Sequence, residues 1–501
     1  LKSSSVSNKY KYLHRKKSTF KIDTLNFFSH KHNENKFSDF NKQRLLTQMY
    51  SNEGPAIAST DLNNDGITDF FIGGAKNQIS SIYLSNKDSY NQITSPFKLN
   101  IKSEDTDAVF FDSDGDGDQD LYVASGGNSF SIYDNMLNDR LYINKGNGNF
   151  EISSESFNFK KPFPTGAVSI SDFNNDNLLD VFVGERFHPE IYGYPVSGHL
   201  FENMGNNVFK ETNQNELKNI GLIKSAKWSD LNNDNYIDLI IAGEWMPIKI
   251  FINNNGKLED KTKNYGLSNS SGMWNDINVL DIDNDGDNDI VAGNIGENTF
   301  FKPQMKIYIN DFDKNGSPEQ IICIKIDGNY FPILDKDELV DQIPSIKKKL
   351  FYYKDYSTLS IDKIFDKKIL NQSISLDVDV LESSIFINNG ENFSQKPFPA
   401  EINYSSVYDI EIIKDQKDIL GLVLGGNQFK VKPQFGRYDA SKGWYMEISR
   451  KKDSLKFSEI SPLNIEGEIR KFVPFKNFGQ KYFVVGINDN NIKFLKINEN
   501  K

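Results

Sequence analysis

Short apolar runs rich in β-branched and aromatic residues recur along the chain: FFIGG, LYVAS, VFVGE, LIIAG and IVAGN. Each begins directly after a polar loop, and several loops are preceded by another such run, AIAST or AVSIS, which is the pattern of two strands joined by a turn. Strand pairs of the type LYINKGNGNFEI (141–152) and IFINNNGKLEDK (250–261) come next, with Asn and Gly at turn places that tolerate positive φ. They supply an outer hairpin. The loops start at Asp61, Asp112, Asp172, Asp230 and Asp281, in steps of 51, 60, 58 and 51 residues. That spacing is close to that of propeller blades with elaborated loops.

Two further repeats are readable without the acids. Aligning LGLVLGG (420–426) on the same strand puts Ile413, Lys417 and Gly421 at places one, five and nine of its loop; aligning YFVVG (482–486) puts Pro474, Phe478 and Tyr482 there. Neither can hold a cation. The expected fold is therefore all-β, a seven-bladed β-propeller whose radial closure hides sheet edges. The C-terminal NIKFLKIN is expected to complete a blade with the N-terminal part. One segment, about 333–372, has helical spacing, with Ser360 as a cap before Ile361, and reads as a small helical insertion. Just before it stands a sixth loop, DFDKNGSPE, only 30 residues after Asp281. It reads as a hairpin within blade five, with an eight-bladed count left open. Residues 1–24 read as a flexible segment and 25–501 as the propeller.

The loops share the pattern D-x-[DN]-x-D-[GN]-x-x-D. Side-chain oxygens at places one, three, five and nine, with the backbone carbonyl of place seven, can converge on one hard cation, and an all-oxygen set suits Ca²⁺. The candidate ligands are Asp61, Asn63, Asp65, Ile67 and Asp69; Asp112, Asp114, Asp116, Asp118 and Asp120; Asp172, Asn174, Asp176, Leu178 and Asp180; Asp230, Asn232, Asp234, Tyr236 and Asp238; and Asp281, Asp283, Asp285, Asp287 and Asp289. The sixth loop offers Asp311, Asp313, Asn315, Ser317 and Glu319. Place six, which needs a left-handed backbone, is Gly66, Gly117, Asn177, Asn235 and Gly286. An EF-hand would need a glutamate at place twelve, where Ile72, Val123, Val183, Ile241 and Ala292 stand, so that reading fails. Turn formation alone is the bland alternative for any single loop. Five loops in one register point past it.

Charge supports the metal reading. The five loops hold nineteen acids, without which the net charge of −11 would be +8, and five Ca²⁺ ions would bring −11 to −1. No stretch approaches the roughly 20 apolar residues of a spanning helix. The single Cys323, in the apolar run IICIKI, rules out an internal disulfide and reads as a buried thiol. The chain starts at Leu1 with a polar, basic stretch, so its natural N-terminus is expected to lie upstream.

These motifs resemble FG-GAP/VCBS-repeat β-propellers, with calcium loops similar to those of integrin α-subunits. The phrases EGPAIASTDLNNDGITDFFIGGA, NDRLYINKGNGNFE, IAGEWMPI, GMWNDINVLDIDNDGDNDIVAGNIGEN, DELVDQIPSIKKKL and FGRYDASKGW, spread from about Phe27 to the C-terminus, resemble bacterial proteins related to cartilage acidic protein, often found with an ASPIC/UnbV domain. No such domain is recognisable here, so the chain reads as the propeller of a longer protein. The resemblance implies an extracellular or cell-surface setting and no established activity.

The five histidines, His14, His30, His32, His188 and His199, show no zinc spacing, and there is no G-x-S-x-G elbow or P-loop. Most acid pairs are committed to loops where a metal would keep them ionised and poor as general acids. The expected function is a non-catalytic binding module for a protein or glycan, with a calcium-dependent polysaccharide lyase as the alternative. A nucleic-acid partner is not expected: the only basic run is KYKYLHRKK (9–17), which reads as a tail. Loops 126–128, 244–246, 272–275 and 294–298 follow or precede equivalent strands and would share a rim, where Trp245, Trp274, Asn294 and Asn298 could meet a partner. Packing between blades is the competing role for both tryptophans. Arg437, Tyr438 and Asp439 pose the same choice.

Overall fold

A computed structural model describes residues 26–87, 89–153, 156–157, 159–414, 420–451, 454–477 and 479–496. The expected tail, Lys417 and Phe478 lie outside them. Among the described residues the strands form eight antiparallel sheets. Seven begin with the strands Ile57–Thr60, Asp105–Phe111, Thr165–Ser171, Leu222–Ser229, Asp276–Leu280, Val407–Lys414 and Glu468–Asn477. Each first strand contacts the next, and the last contacts the first, so the seven close a ring. The fold is an all-β propeller, and closure removes the exposed edges that a flat sheet would present.

Polar clasps between first strands fix the ring. Asp107 accepts the backbone N–H of Val168 (3.1 Å), Asp276 that of Ile410 (3.1 Å) and Asp409 that of Phe472 (2.6 Å), so an aspartate on one sheet satisfies a buried amide on another. Apolar residues fill the spaces between sheets: Phe111, Tyr122 and Ile143 of the second sheet pack with Val181, Val183 and Phe201 of the third. The seventh sheet has three strands, ending with Lys493–Lys496. As expected of the C-terminus, the N-terminal part joins it: Lys31 bridges Asn491, Ile492 N–H donates to His30, and Phe27 packs edge-on against Phe494.

The sixth loop is not a hairpin of blade five. The fifth sheet takes its third and fourth strands, Ser384–Asn388 and Phe393–Pro397, from beyond the insertion. The hairpin of Met305–Asn310 and Glu319–Ile326 instead forms its own sheet with Asn329–Pro332 and Ile374–Val378. Its first strands join no part of the ring's cycle. Between the last two strands run the helices Lys336–Gln342, Tyr353–Tyr356, Ile361–Ile364 and Lys367–Gln372, where the sequence placed a helical insertion. Ser360 precedes the third of them, but its hydroxyl bonds Asp362 rather than capping the backbone. Cys323 is fully buried beneath these helices, and burial pushes its thiol well up.

In the two bare repeats the strands run on into positions aligned as loop. Ile413 pairs with Gly421 inside the strand ladder, so it is not a first loop residue, and Pro474 pairs with Phe483 in strands that run on to Asn477 and Gln480.

Residues 38–53 cross one end of the ring. Lys42 Nζ reaches the carbonyls of Asn128 and Phe130, Gln43 Nε2 that of Pro189, and Lys432 N–H donates to Thr47. Arg44 pairs with Asp341 of the insertion at 3.0 Å. Leu46 and Tyr50 join Trp245, Met273, Phe301 and Met305 in one apolar cluster, which seals that end.

Candidate metal loops

All six acidic loops adopt one backbone. The place-one carboxylate accepts the N–H of place six: Gly66 (2.8 Å), Gly117 (3.0 Å), Asn177 (2.8 Å), Asn235 (2.9 Å), Gly286 (3.2 Å) and Gly316 (2.8 Å). Place-five Oδ1 accepts the N–H of place seven in every loop, at 2.7 to 3.0 Å. These bonds curl the loop. Place six holds a left-handed φ throughout, including Asn177 (69°) and Asn235 (70°), as its residue types predict. Place four does so too, as Asn64, Gly115, Asn175, Asn233, Asn284 and Lys314. Sequence reasoning missed that place, although its run of Asn and Gly was visible.

Place nine has a second task that the motif did not announce. Asp69, Asp120, Asp180, Asp238 and Asp289 are all buried, and each accepts two backbone amides, one from place two of its loop and one from the third strand of its sheet. Asp289 thereby grips Asn388, 99 residues away across the insertion. Burial raises these carboxyls, to about 6 for Asp69 and Asp238 and about 7 for Asp180 and Asp289, despite the amide bonds that pull the other way. Glu319 of the sixth loop is likewise raised to about 7 by burial.

The third-strand partner is also a functional residue. Asn144, Asn203, Asn253 and Asn388 each donate Nδ2 to the place-eight carbonyl of the loop. Asn203 and Asn253 reach the place-two carbonyl of the preceding sheet's loop as well, Ser113 at 3.0 Å and Phe173 at 2.7 Å. The recurring asparagine that closes LYIN, LFEN and IFIN was the available signal.

The donor set fits a hard cation. Carboxylate oxygens of Asp112, Asp114 and Asp120, of Asp281, Asp283 and Asp285, and of Asp311, Asp313 and Glu319 lie within 4.8 Å of one another. Among them the place-three oxygens Asp283 Oδ1 and Asp313 Oδ1 are buried and have no hydrogen-bond partner. Buried carboxylate oxygens facing two like charges call for a cation or a proton. In loops one, three and four the place-three asparagine turns Nδ2 to the place-five carboxylate (3.3, 3.0 and 2.9 Å) and Oδ1 to the place-five N–H.

A model of the FG-GAP-like repeat matches residues 61–123, 112–183 and 230–292, each match beginning at a place-one aspartate. The chain carries FG-GAP-like repeats. No curated protein matches it. Among solved structures, the chain is similar to Chaetomium thermophilum Sqt1 (11% identity over 90% of this chain and 98% of that chain, TM-score 0.44). It is also similar to YCF48 from Cyanidioschyzon merolae (10%, 90% and 98%, TM-score 0.41) and to YCF48 bound to D1 peptide (8%, 93% and 98%, TM-score 0.42).

The expected rim of the FG-GAP-like propeller is corrected by burial. The loops at 126–128, 244–246, 272–275 and 294–298 do lie at the covered end, but residues 38–53 and the inserted sheet occupy it. Trp245 is 2% exposed, donates Nε1 to Tyr192 Oη at 3.0 Å and meets Phe301 edge-on. Trp274 is 0% exposed, donates to the Ser270 carbonyl and packs on Phe386. Asn294 is spent on Val380 O and Met273 N–H, while Asn298 alone of the four is exposed. Tyr438 is buried, and Arg437 and Asp439 are half exposed and face each other at 3.6 Å.

Proposed function

We propose that the chain is a calcium-stabilised, non-catalytic binding module that works outside the cell or at its surface and takes a protein or glycan partner. The observation that carries this reading is the shared curl of six loops, three of which bring carboxylate oxygens within 4.8 Å of one another, with Asp283 Oδ1 and Asp313 Oδ1 left without a hydrogen-bond partner. Sites of this exposed, loop-built kind suit the roughly millimolar calcium of extracellular modules. The resemblance to cartilage-acidic-protein-like propellers points to the same setting. With the tryptophan-bearing end covered by the chain itself, the exposed aromatics Phe351, Tyr352 and Tyr353 of the insertion become the contact surface we assign to a partner.

The test is capture from arrays of glycans and of extracellular proteins, with and without calcium, by the native chain and by Phe351→Ser/Tyr352→Ser. Calcium-dependent capture lost in the double variant supports the module. Release of unsaturated sugars from a polysaccharide would overturn it in favour of a lyase. That second reading has one observation behind it: Lys224, in a cavity of about 110 Å³ inside the ring, is brought down to about 8 by burial, within range of a general base.

A further inference from the structure

The third sheet carries a cleft of about 650 Å³, none of whose walls comes from an acidic loop. His199 stands in its wall, on the third strand, between two carboxylates. Its Nδ1 lies 2.8 Å from Glu211 Oε1 on the fourth strand, and its Nε2 lies 2.9 Å from Glu185 Oε1 at the end of the second. Phe163 stacks on the imidazole, with ring centroids 4.7 Å apart at 10°. Lys160 Nζ meets the other oxygen of Glu211 at 2.7 Å.

A neutral imidazole donates from one nitrogen only, so carboxylates facing both nitrogens require one further proton. Burial works against placing it on His199, yet the two glutamates outweigh burial and hold that imidazole above its ordinary value. His188, which also feels Glu185, is held below its own ordinary value by burial. The run Glu185, His199, Glu211 and Lys160 thus balances two acids against two cations. Among the described residues lining the cleft there is no other acid, but there are two more lysines, Lys161 and Lys218, both exposed. Neither ammonium pairs with a carboxylate among the described residues, and Lys218 Nζ meets the neutral Asn215 Oδ1 at 2.6 Å. The cleft is therefore positive, in a chain of net charge −11.

We propose that this cleft binds an acidic sugar of the uronic-acid class, with its carboxylate on Lys161 and Lys218 and its hydroxyls on the exposed amides of Asn213 and Asn219. The volume lies within the roughly 300–1,000 Å³ of small-molecule sites and is larger than a simple anion fills. Half-buried Phe159, also in the wall, offers an apolar face to the sugar's C–H groups. A neutral sugar would leave the two ammonium groups unanswered, and a bare anion would leave the amides and the ring unused. The site shares no residue with the aromatics of the insertion, so it goes beyond the partner surface assigned above and can fail or hold independently of it.

Calorimetric titration of the full, calcium-loaded chain with digalacturonate tests the site, with maltose as the neutral counterpart and acetate as the bare anion. Digalacturonate should bind at least about tenfold tighter than either, since the charge-assisted and hydroxyl contacts are then made together. Lys161→Gln/Lys218→Gln should lose that preference and melt with the native chain, whereas Phe351→Ser/Tyr352→Ser should keep it. Affinity should fall as pH rises from about 6 to about 9, because the cleft loses a positive charge when His199 gives up its proton, and His199→Gln should flatten that slope. No binding, or equal binding of maltose or of acetate, overturns the proposal. So does a preference that survives the double lysine variant or is lost in the insertion variant, and so does an affinity in the native chain that ignores pH.

Discussion

Replacing Asn253 by alanine should test whether the third-strand asparagine couples one sheet to its neighbour. The side chain is 0% exposed, donates Nδ2 to Phe173 O of the third sheet's loop (2.7 Å) and to Ile237 O of its own loop (3.0 Å), and accepts Gly256 N–H (2.8 Å). Alanine leaves two carbonyls and one amide without this partner, the Phe173 carbonyl in a buried position and the other two at half-buried residues. At about 1 kcal/mol net for each hydrogen bond, and more for each orphaned buried group, the loss should be about 3 kcal/mol. Its backbone N–H bond to Asp238 remains, so the loop keeps its curl and the effect isolates the side chain. Asn389→Ala is the control: its Nδ2 bonds lie at the surface, and water replaces them for less than about 0.5 kcal/mol. Urea unfolding of the calcium-saturated chain, read by fluorescence and by circular dichroism, measures both variants. If Asn253→Ala unfolds with Asn389→Ala, the asparagine is a passenger and the coupling argument fails.

Chelation should lower the melting temperature, and calorimetric titration of the stripped chain should find loops two and five, with five acids each, binding tightest; an EDTA-treated chain that melts unchanged refutes this. Asp116→Ala should weaken calcium-dependent melting, whereas Lys417→Ala, in a repeat with isoleucine, lysine and glycine at places one, five and nine, should not. In the metal-free chain burial raises the place-nine carboxyls above ordinary carboxylate values, to about 6 for Asp69 and Asp238 and about 7 for Asp180, Asp289 and Glu319. Between about pH 4 and 7 the folded state then binds more protons than the unfolded state, so metal-free stability should fall as pH rises through that window. Calcium holds the same groups ionised, so the loaded chain should lose stability on acidification; parallel melting curves with and without EDTA at several pH values check the opposite slopes. Trp274→Ala should cost about 3–5 kcal/mol by emptying a packed site, and a variant that melts like the native chain would reopen a binding role for the indole.

The loop register, the left-handed place six and the outer hairpins were legible because they are local: a few residues with Asp, Asn and Gly at fixed spacing determine their own backbone. So was the repeat, since strands separated by like loops at like intervals recur in the one-dimensional chain. The two bare repeats were legible as strands, but the lengths of their turns were not, because without the D-x-[DN]-x-D pattern nothing in the sequence marks where a ladder ends. Ile413 and Pro474 thus became strand residues. The sixth loop was recognisable as a loop, yet its sheet was not assignable, because strand pairing across the insertion, as between Ile309 and Ile374, depends on which apolar faces meet. The burial of Trp245 and Trp274 was the other decision of the tertiary structure. Aromatic and amide residues beside a glycine-rich loop carry the same letters whether they face solvent or a cover, and only the path of residues 38–53 across the ring determines that these face a cover. The sequence by itself determined the repeating unit and its oxygen-rich loops; which end of the ring is covered is set by long-range packing, since burial is a property of the whole chain and not of any segment.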